Sequence, residues 1–173
     1  MSIFTIDPWI TNFVNDKSNI RSFVDSEFLP KTYATFASGA EFNEKDYNGH
    51  LPCVIKVASS SSGDGVRICK NWVDFQKAKA DFEHLNVAIF IEEFIYAVEN
   101  IGVQFGVSYD PNGQVEIIGF NQQLTNENGD YLGGVIDSNK KIDVLPEIYD
   151  VLLTKILPKV RALGWYGVGG MDV

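Results

Sequence analysis

The chain has 173 residues and a formal net charge of −9; 45% of its residues are hydrophobic and 21% are charged. That length holds one domain or two small subdomains with a real core, and the composition is that of an ordinary globular protein. The acidic balance argues against a general nucleic-acid-binding surface, which needs excess Lys and Arg, although it allows a local cationic pocket.

No apolar run reaches the roughly 18 residues of a membrane span. The stretch Met1 to Asp7 has neither the basic nor the apolar region of a signal peptide. A cytoplasmic location, with no nucleic acid and no membrane as partner, is therefore expected. Cys53 and Cys69 lie in apolar segments and read as buried thiols, not as a disulfide framework or a zinc site.

In chain order, Asp7-Pro8 caps a helix whose apolar stripe is Trp9, Ile10, Phe13 and Val14. A second short helix is expected over 18–24, with Ile20, Phe23 and Val24 inward. Residues 37–50, rich in Gly, Asn, Asp and Glu, read as a surface connection. Strands follow over 51–58 and 65–70. Asn71 then caps a helix whose Trp72, Phe75, Ala78, Phe82 and Leu85 share one face. Residues 87–95 read as a strand, and 101–109 and 115–124 as a hairpin about Asp110-Pro-Asn-Gly113. A long helix spans 146–163, with Pro158 expected to kink or divide it and Gly164 to stop it. A Gly-rich turn into a final strand ends at Val173.

The segment from Leu51 to Val66 carries the most chemistry. Lys56 lies in a short apolar strand that opens into Ser59, Ser60, Ser61, Ser62, Gly63, Asp64 and Gly65. Small residues let backbone N–H groups approach an anion, and a nearby lysine supplies a point charge for the same phosphates. The lysine precedes the glycines, so this is not the GxxxxGK[ST] loop. Taken alone, the segment reads equally well as a loose hairpin with a surface lysine. An unpaired ammonium within an apolar strand is costly, and either a phosphate or an acidic neighbour removes that cost.

Strand, Ser/Gly loop, strand, helix, acidic strand end, hairpin, long helix and Gly-x-x-Gly-Met-Asp, in this order from about Asn15 to Val173, resemble the ATP-grasp superfamily. The nearest branch is the carboxylate–amine ligases, such as D-alanine–D-alanine ligase and the peptide ligases. The resemblance implies an α+β fold of two α/β subdomains whose antiparallel sheets grip ATP between them. It implies an N-terminal helical segment over 1–50, a lid subdomain over 51–97 and a partial second subdomain over 98–173.

By the same resemblance Lys17 and Lys56 reach the nucleotide phosphates, and Ser60, Ser61, Ser62, Gly63 and Gly65 close over them. Glu92, Glu93, Phe94 and Ile95 form the adenine hinge. There the Glu93 carbonyl and the Ile95 N–H read the base, Phe94 and Ile95 line its pocket, and Glu99 holds the ribose. Asp172 binds Mg²⁺. Gln122, Gln123 and Asn128 to Gly134 fall where substrate-facing loops occur in the peptide ligases.

The implied chemistry is ATP-dependent joining of a small-molecule carboxylate to an amine through an acyl phosphate. The family pattern continues past this aspartate with Glu-x-Asn, whereas the sequence stops at Val173. The expectation is therefore a fold that is C-terminally incomplete, with a homodimer or a completing chain as partner. The alternative function is a non-catalytic ATP-binding or interaction module.

Overall fold

The computed structural model describes residues 6–43, 47, 49–60, 65–97, 99–110, 112–126, 131–136 and 145–173. Its elements are α1 (Pro8–Asn15), β1 (Thr32–Phe36), β2 (Cys53–Val57), β3 (Val66–Cys69), α2 (Trp72–Phe82), β4 (Ile89–Glu93), β5 (Ile101–Val107), β6 (Val115–Thr125), β7 (Tyr131–Val135), α3 (Leu145–Val151), α4 (Leu157–Ala162) and β8 (Gly167–Asp172). The strands form two four-stranded antiparallel sheets, in the orders β1-β4-β2-β3 and β7-β6-β5-β8. The fold is α+β, as expected.

Each sheet has its own core. In the first, alternation along β2 buries Cys53, Ile55 and Val57, and along β4 it buries Ile89 and Ile91. Phe75, Ala78 and Phe82 of α2 cover them. The helix starts where expected: Asn71 Oδ1 accepts from the N–H groups of Val73 at 2.9 Å and Asp74 at 3.1 Å. Cys53 and Cys69 are paired across β2 and β3, both free thiols and both fully buried. The second core joins Ile101, Val103, Phe105 and Val107 of β5 to Leu152, Ile156, Leu157 and Val160 of the C-terminal helix.

Three readings need correction. The segment 18–24 is a 3-10 helix over Lys17–Ser22, not an α-helix, and its following residues Phe23 and Val24 enter the second core. The stretch 37–50 is more than a surface connection, because Phe42 and Tyr47 are buried against Phe75, with ring centroids 5.6 and 5.1 Å from it. Composition hid this, since the two aromatics sit among polar and glycine residues. Two strands form beyond those expected: β1, which pairs with β4, and β7, which pairs with β6.

Pro158 is accommodated within one helical run. Residues Leu152–Ile156 form a π-turn, and the Leu157 N–H donates to the Leu152 carbonyl five residues back. The wider turn is how a helix accepts a ring that would otherwise meet the preceding carbonyl. Gly164 then takes φ +89°, a left-handed C-terminal stop that glycine adopts without a Cβ clash.

Phe75 is fully buried and stacks against Tyr47 and, at 4.7 Å, Trp72. Phe75→Ala should cost about 3–5 kcal/mol of unfolding free energy, checked by denaturant unfolding against the parent chain. A loss below about 1 kcal/mol would contradict this account of the first core.

Candidate functional site

The alternation that buries Cys53, Ile55 and Val57 puts Lys56 on the opposite face of the first sheet. Phe90 lies directly across from Lys56, and Glu92 one step diagonally along β4. Lys56 Nζ reaches Glu92 Oε2 at 2.8 Å, and only 13% of the Glu92 side chain is exposed. Arg21 approaches the other carboxylate oxygen at 3.7 Å, and Thr32 Oγ1 donates toward it at 3.5 Å. Arg21 also donates to the Pro30 carbonyl at 2.8 Å. The acidic neighbour expected for a lysine in an apolar strand is therefore Glu92.

Lys17 arrives from a different part of the chain. Phe13, Val14 and Ile20 around it pack against the second core, while its own N–H donates to the Ala58 carbonyl at 3.0 Å. Its Nζ donates to Ser60 Oγ at 2.9 Å and to the Ser60 carbonyl at 3.3 Å. Burial lowers the Lys17 pKa below its ordinary value, and the positive charge of Lys56 lowers it further; Asp16 opposes both. Two ammonium groups 39 positions apart in sequence (17 and 56) thus act on each other at the root of the Ser/Gly loop.

The loop is pinned at both described ends. The Val57 N–H donates to the Gly65 carbonyl at 2.9 Å. A Cβ on Gly65 would lie 2.2 Å from Ser60 Oγ and 2.4 Å from a Val57 methyl, so only glycine fits. Ser61, Ser62 and Gly63 lie outside the described residues.

From the end of β4 the chain runs through Glu93, half-buried Phe94 and exposed Ile95. The Glu93 N–H donates to the Lys31 carbonyl at 2.9 Å, and its carboxylate accepts from the Lys31 N–H at 2.8 Å. The Phe94 ring meets Tyr96 edge-on at 4.8 Å. Glu99 is half-buried just before β5.

Asp172 closes β8, opposite Gly102 of β5. Gln123 Nε2 donates to Asp172 Oδ1, and Gln104 Nε2 donates to Asn121 Oδ1 at 2.9 Å. Among the described residues, Asp172 pairs with Gln123 and with neither lysine, and no group of three or more His, Cys, Asp or Glu gathers as a metal cluster. One carboxylate still suits Mg²⁺, which is commonly held by one or two carboxylates together with phosphate oxygens. Asn128, Gly129 and Asp130 lie outside the described residues, while Tyr131–Gly134 belong to β7. Arg21, Gln104 and Asn121 escaped sequence reasoning, since their partners are distant in the chain and no local motif marks them.

No helix among the described residues is long and apolar enough to cross a membrane. A family model described as L-aspartate–L-methionine ligase, ATP grasp, matches residues 33–173. Lys17 lies before that match, so its place rests on geometry. Curated proteins provide no match.

Among solved structures, the chain is similar to the VanG D-Ala:D-Ser ligase from Enterococcus faecalis, with 19% identity, TM-score 0.70, and coverage of 96% of this chain and 50% of that one. It is similar to carboxyaminoimidazole ribonucleotide synthase from Aspergillus clavatus complexed with ATP, with 14% identity, TM-score 0.66, and coverage of 95% and 42%. It is also similar to the biotin carboxylase domain of 2-oxoglutarate carboxylase from Hydrogenobacter thermophilus, in complex with MgADP, ADP and bicarbonate, with 17% identity, TM-score 0.65, and coverage of 95% and 37%. At these identities the likeness shows the fold. The chain spans half or less of the length of each.

The lysine pair gives a measurable outcome. In Lys56→Met, the Lys17 pKa should rise part of the way toward 10.5, leaving the effect of burial in place; side-chain NMR titration reads it. Because the folded chain holds this proton less tightly than the unfolded one, Lys17 should also make stability rise with pH between its folded pKa and 10.5. A Lys17 pKa unmoved by removal of the Lys56 charge would contradict the pairing.

Proposed function

From the premise that the chain belongs to the L-aspartate–L-methionine ligase family of ATP-grasp proteins, we propose that it forms the ATP-binding part of a ligase joining a carboxylate to an amine. The observation that carries this reading is the convergence of Lys17 and Lys56 at the root of the Ser/Gly loop. Burial and the neighbouring charge of Lys56 disfavour the charged form of Lys17, and an anion seated beside both lysines would offset this; a polyphosphate supplies one. The ATP bound in the similar carboxyaminoimidazole ribonucleotide synthase and the MgADP and ADP bound in the similar biotin carboxylase domain support the same ligand class.

In this reading Lys17 and Lys56 donate to phosphate oxygens, and the loop from Ser60 to Gly65 covers them. Glu92 keeps Lys56 oriented through the 2.8 Å ion pair. The Glu93 carbonyl and the Ile95 N–H read the adenine edge, Phe94 and Ile95 line its face, and Glu99 accepts from the ribose hydroxyls. Asp172 holds Mg²⁺, which would neutralise charge on the phosphates.

The substrate carboxylate attacks the γ-phosphorus, forming an acyl phosphate with ADP as leaving group. The amine then attacks the acyl carbon, loses a proton and expels phosphate. The protein's part is positioning and charge neutralisation. The family description points to L-aspartate and L-methionine as the substrate pair. We take 51–97 as the lid subdomain and 98–173 as the partial second subdomain; β1, which precedes both ranges, pairs with β4 of the first sheet.

Calorimetric titration with a non-hydrolysable ATP analogue tests the reading. The parent chain should bind with Mg²⁺ present, and Lys56→Met should weaken binding at least tenfold, about 1.4 kcal/mol, with folding checked by thermal melting. Absence of binding by the parent, or unchanged binding in the folded variant, would overturn the proposed site.

A further inference from the structure

A carboxylate at the end of an exposed strand rotates freely unless something holds it, and metal ligands are usually oriented by a hydrogen-bonding neighbour. Asp172 is such a carboxylate. The residue across from it on β5 is Gly102, which has no side chain to brace it. The brace comes from one strand further away. Gln123 lies on β6, and β5 separates β6 from β8; even so, its Nε2 donates to Asp172 Oδ1.

Gly102 is what makes this reach available. A Cβ at Gly102 would lie 3.1 Å from Gln123 Nε2 and 2.4 Å from Asn121 Oδ1. The carboxamides of Asn121 and Gln123 therefore lie across the backbone of β5 in space that any larger residue would fill. Gly134, on the far side of β6, leaves similar room: its Cβ would meet Asn121 Nδ2 at 2.4 Å.

The chemical type of the brace also matters. A lysine or arginine in place of Gln123 would neutralise Asp172 and compete with a cation. A carboxamide carries no net charge, so it fixes one oxygen while the carboxylate keeps its full negative charge for a second partner.

We propose that Gln123 is a positioning residue for Asp172. Reaching over Gly102, it holds one carboxylate oxygen so that the other is presented to the Mg²⁺ that accompanies the nucleotide. This rests on the reading of Asp172 as a Mg²⁺ ligand. It also assigns Gln123 to the metal rather than to direct substrate contact.

The test compares the affinity of a non-hydrolysable ATP analogue with and without Mg²⁺, in the parent, Asp172→Asn, Gln123→Leu and Gly102→Ala, with thermal melting to check folding. Asp172→Asn should abolish the enhancement by Mg²⁺. Gln123→Leu should reduce that enhancement about tenfold, the lower end of the effect of losing an orienting neighbour, and leave Mg²⁺-free affinity unchanged. Gly102→Ala should act in the same direction without removing a polar group.

If Asp172→Asn keeps the full enhancement, the Mg²⁺ reading of Asp172 fails and the positioning role falls with it. If Asp172→Asn loses the enhancement while Gln123→Leu keeps it, the positioning role alone is overturned. An equal loss with and without Mg²⁺ in Gln123→Leu would also overturn it, since that pattern belongs to a direct nucleotide contact or a structural role.

Discussion

Two ammonium groups that repel each other, Lys17 and Lys56, share the root of one loop, and the rest of the arrangement follows from holding them there. Burial and mutual repulsion both disfavour charge on Lys17, so the protein must anchor it through other contacts. It does so with the Ser60 hydroxyl and carbonyl on the ammonium and with the backbone bond to Ala58. Lys56 is balanced by Glu92, in turn braced by Arg21 and Thr32. The result brings two lysines together at one loop within a chain of net charge −9.

This arrangement ties the two sheets together. Lys56 belongs to the first sheet, whereas the segment that carries Lys17 is packed on the core of the second through Phe13, Val14, Ile20, Phe23 and Val24. That packing, not surface charge, secures the segment. The ion pairs Lys155–Glu27 and Lys159–Asp25 are exposed and contribute about 1 kcal/mol each at most, whereas a fully buried phenylalanine or valine contributes about 1.5–3 kcal/mol. Any ligand seated between the lysines therefore touches parts of the chain that belong to different cores.

The elements with strong local signals were legible in the sequence. The period of α2 with its Asn71 cap, the apolar runs of β2 and β4, the Asp110 turn and the Gly164 stop each rest on residues adjacent in the chain. The strands β1 and β7 were not legible: Thr-Tyr-Ala-Thr-Phe and Tyr-Leu-Gly-Gly-Val have weak alternation and become strands by pairing with distant β4 and β6. The site divides in the same way. Lys56 stood out because a charge in an apolar strand demands a partner; the ordered motifs of the family marked Glu92 for an adenine hinge, whereas its pairing with Lys56 comes from the register of β2 and β4. Arg21, Asn121 and the bond from Gln123 to Asp172 depend on sheet register and on the missing side chain of Gly102, and neither is written locally.

The most direct measurement is the titration of the Lys17 side chain by NMR, in the free protein and with a non-hydrolysable ATP analogue bound. If a polyphosphate lies between Lys17 and Lys56, its negative charge offsets the repulsion, and the Lys17 pKa rises toward the ordinary lysine value on binding. An analogue that binds while leaving the Lys17 titration unchanged would contradict the account.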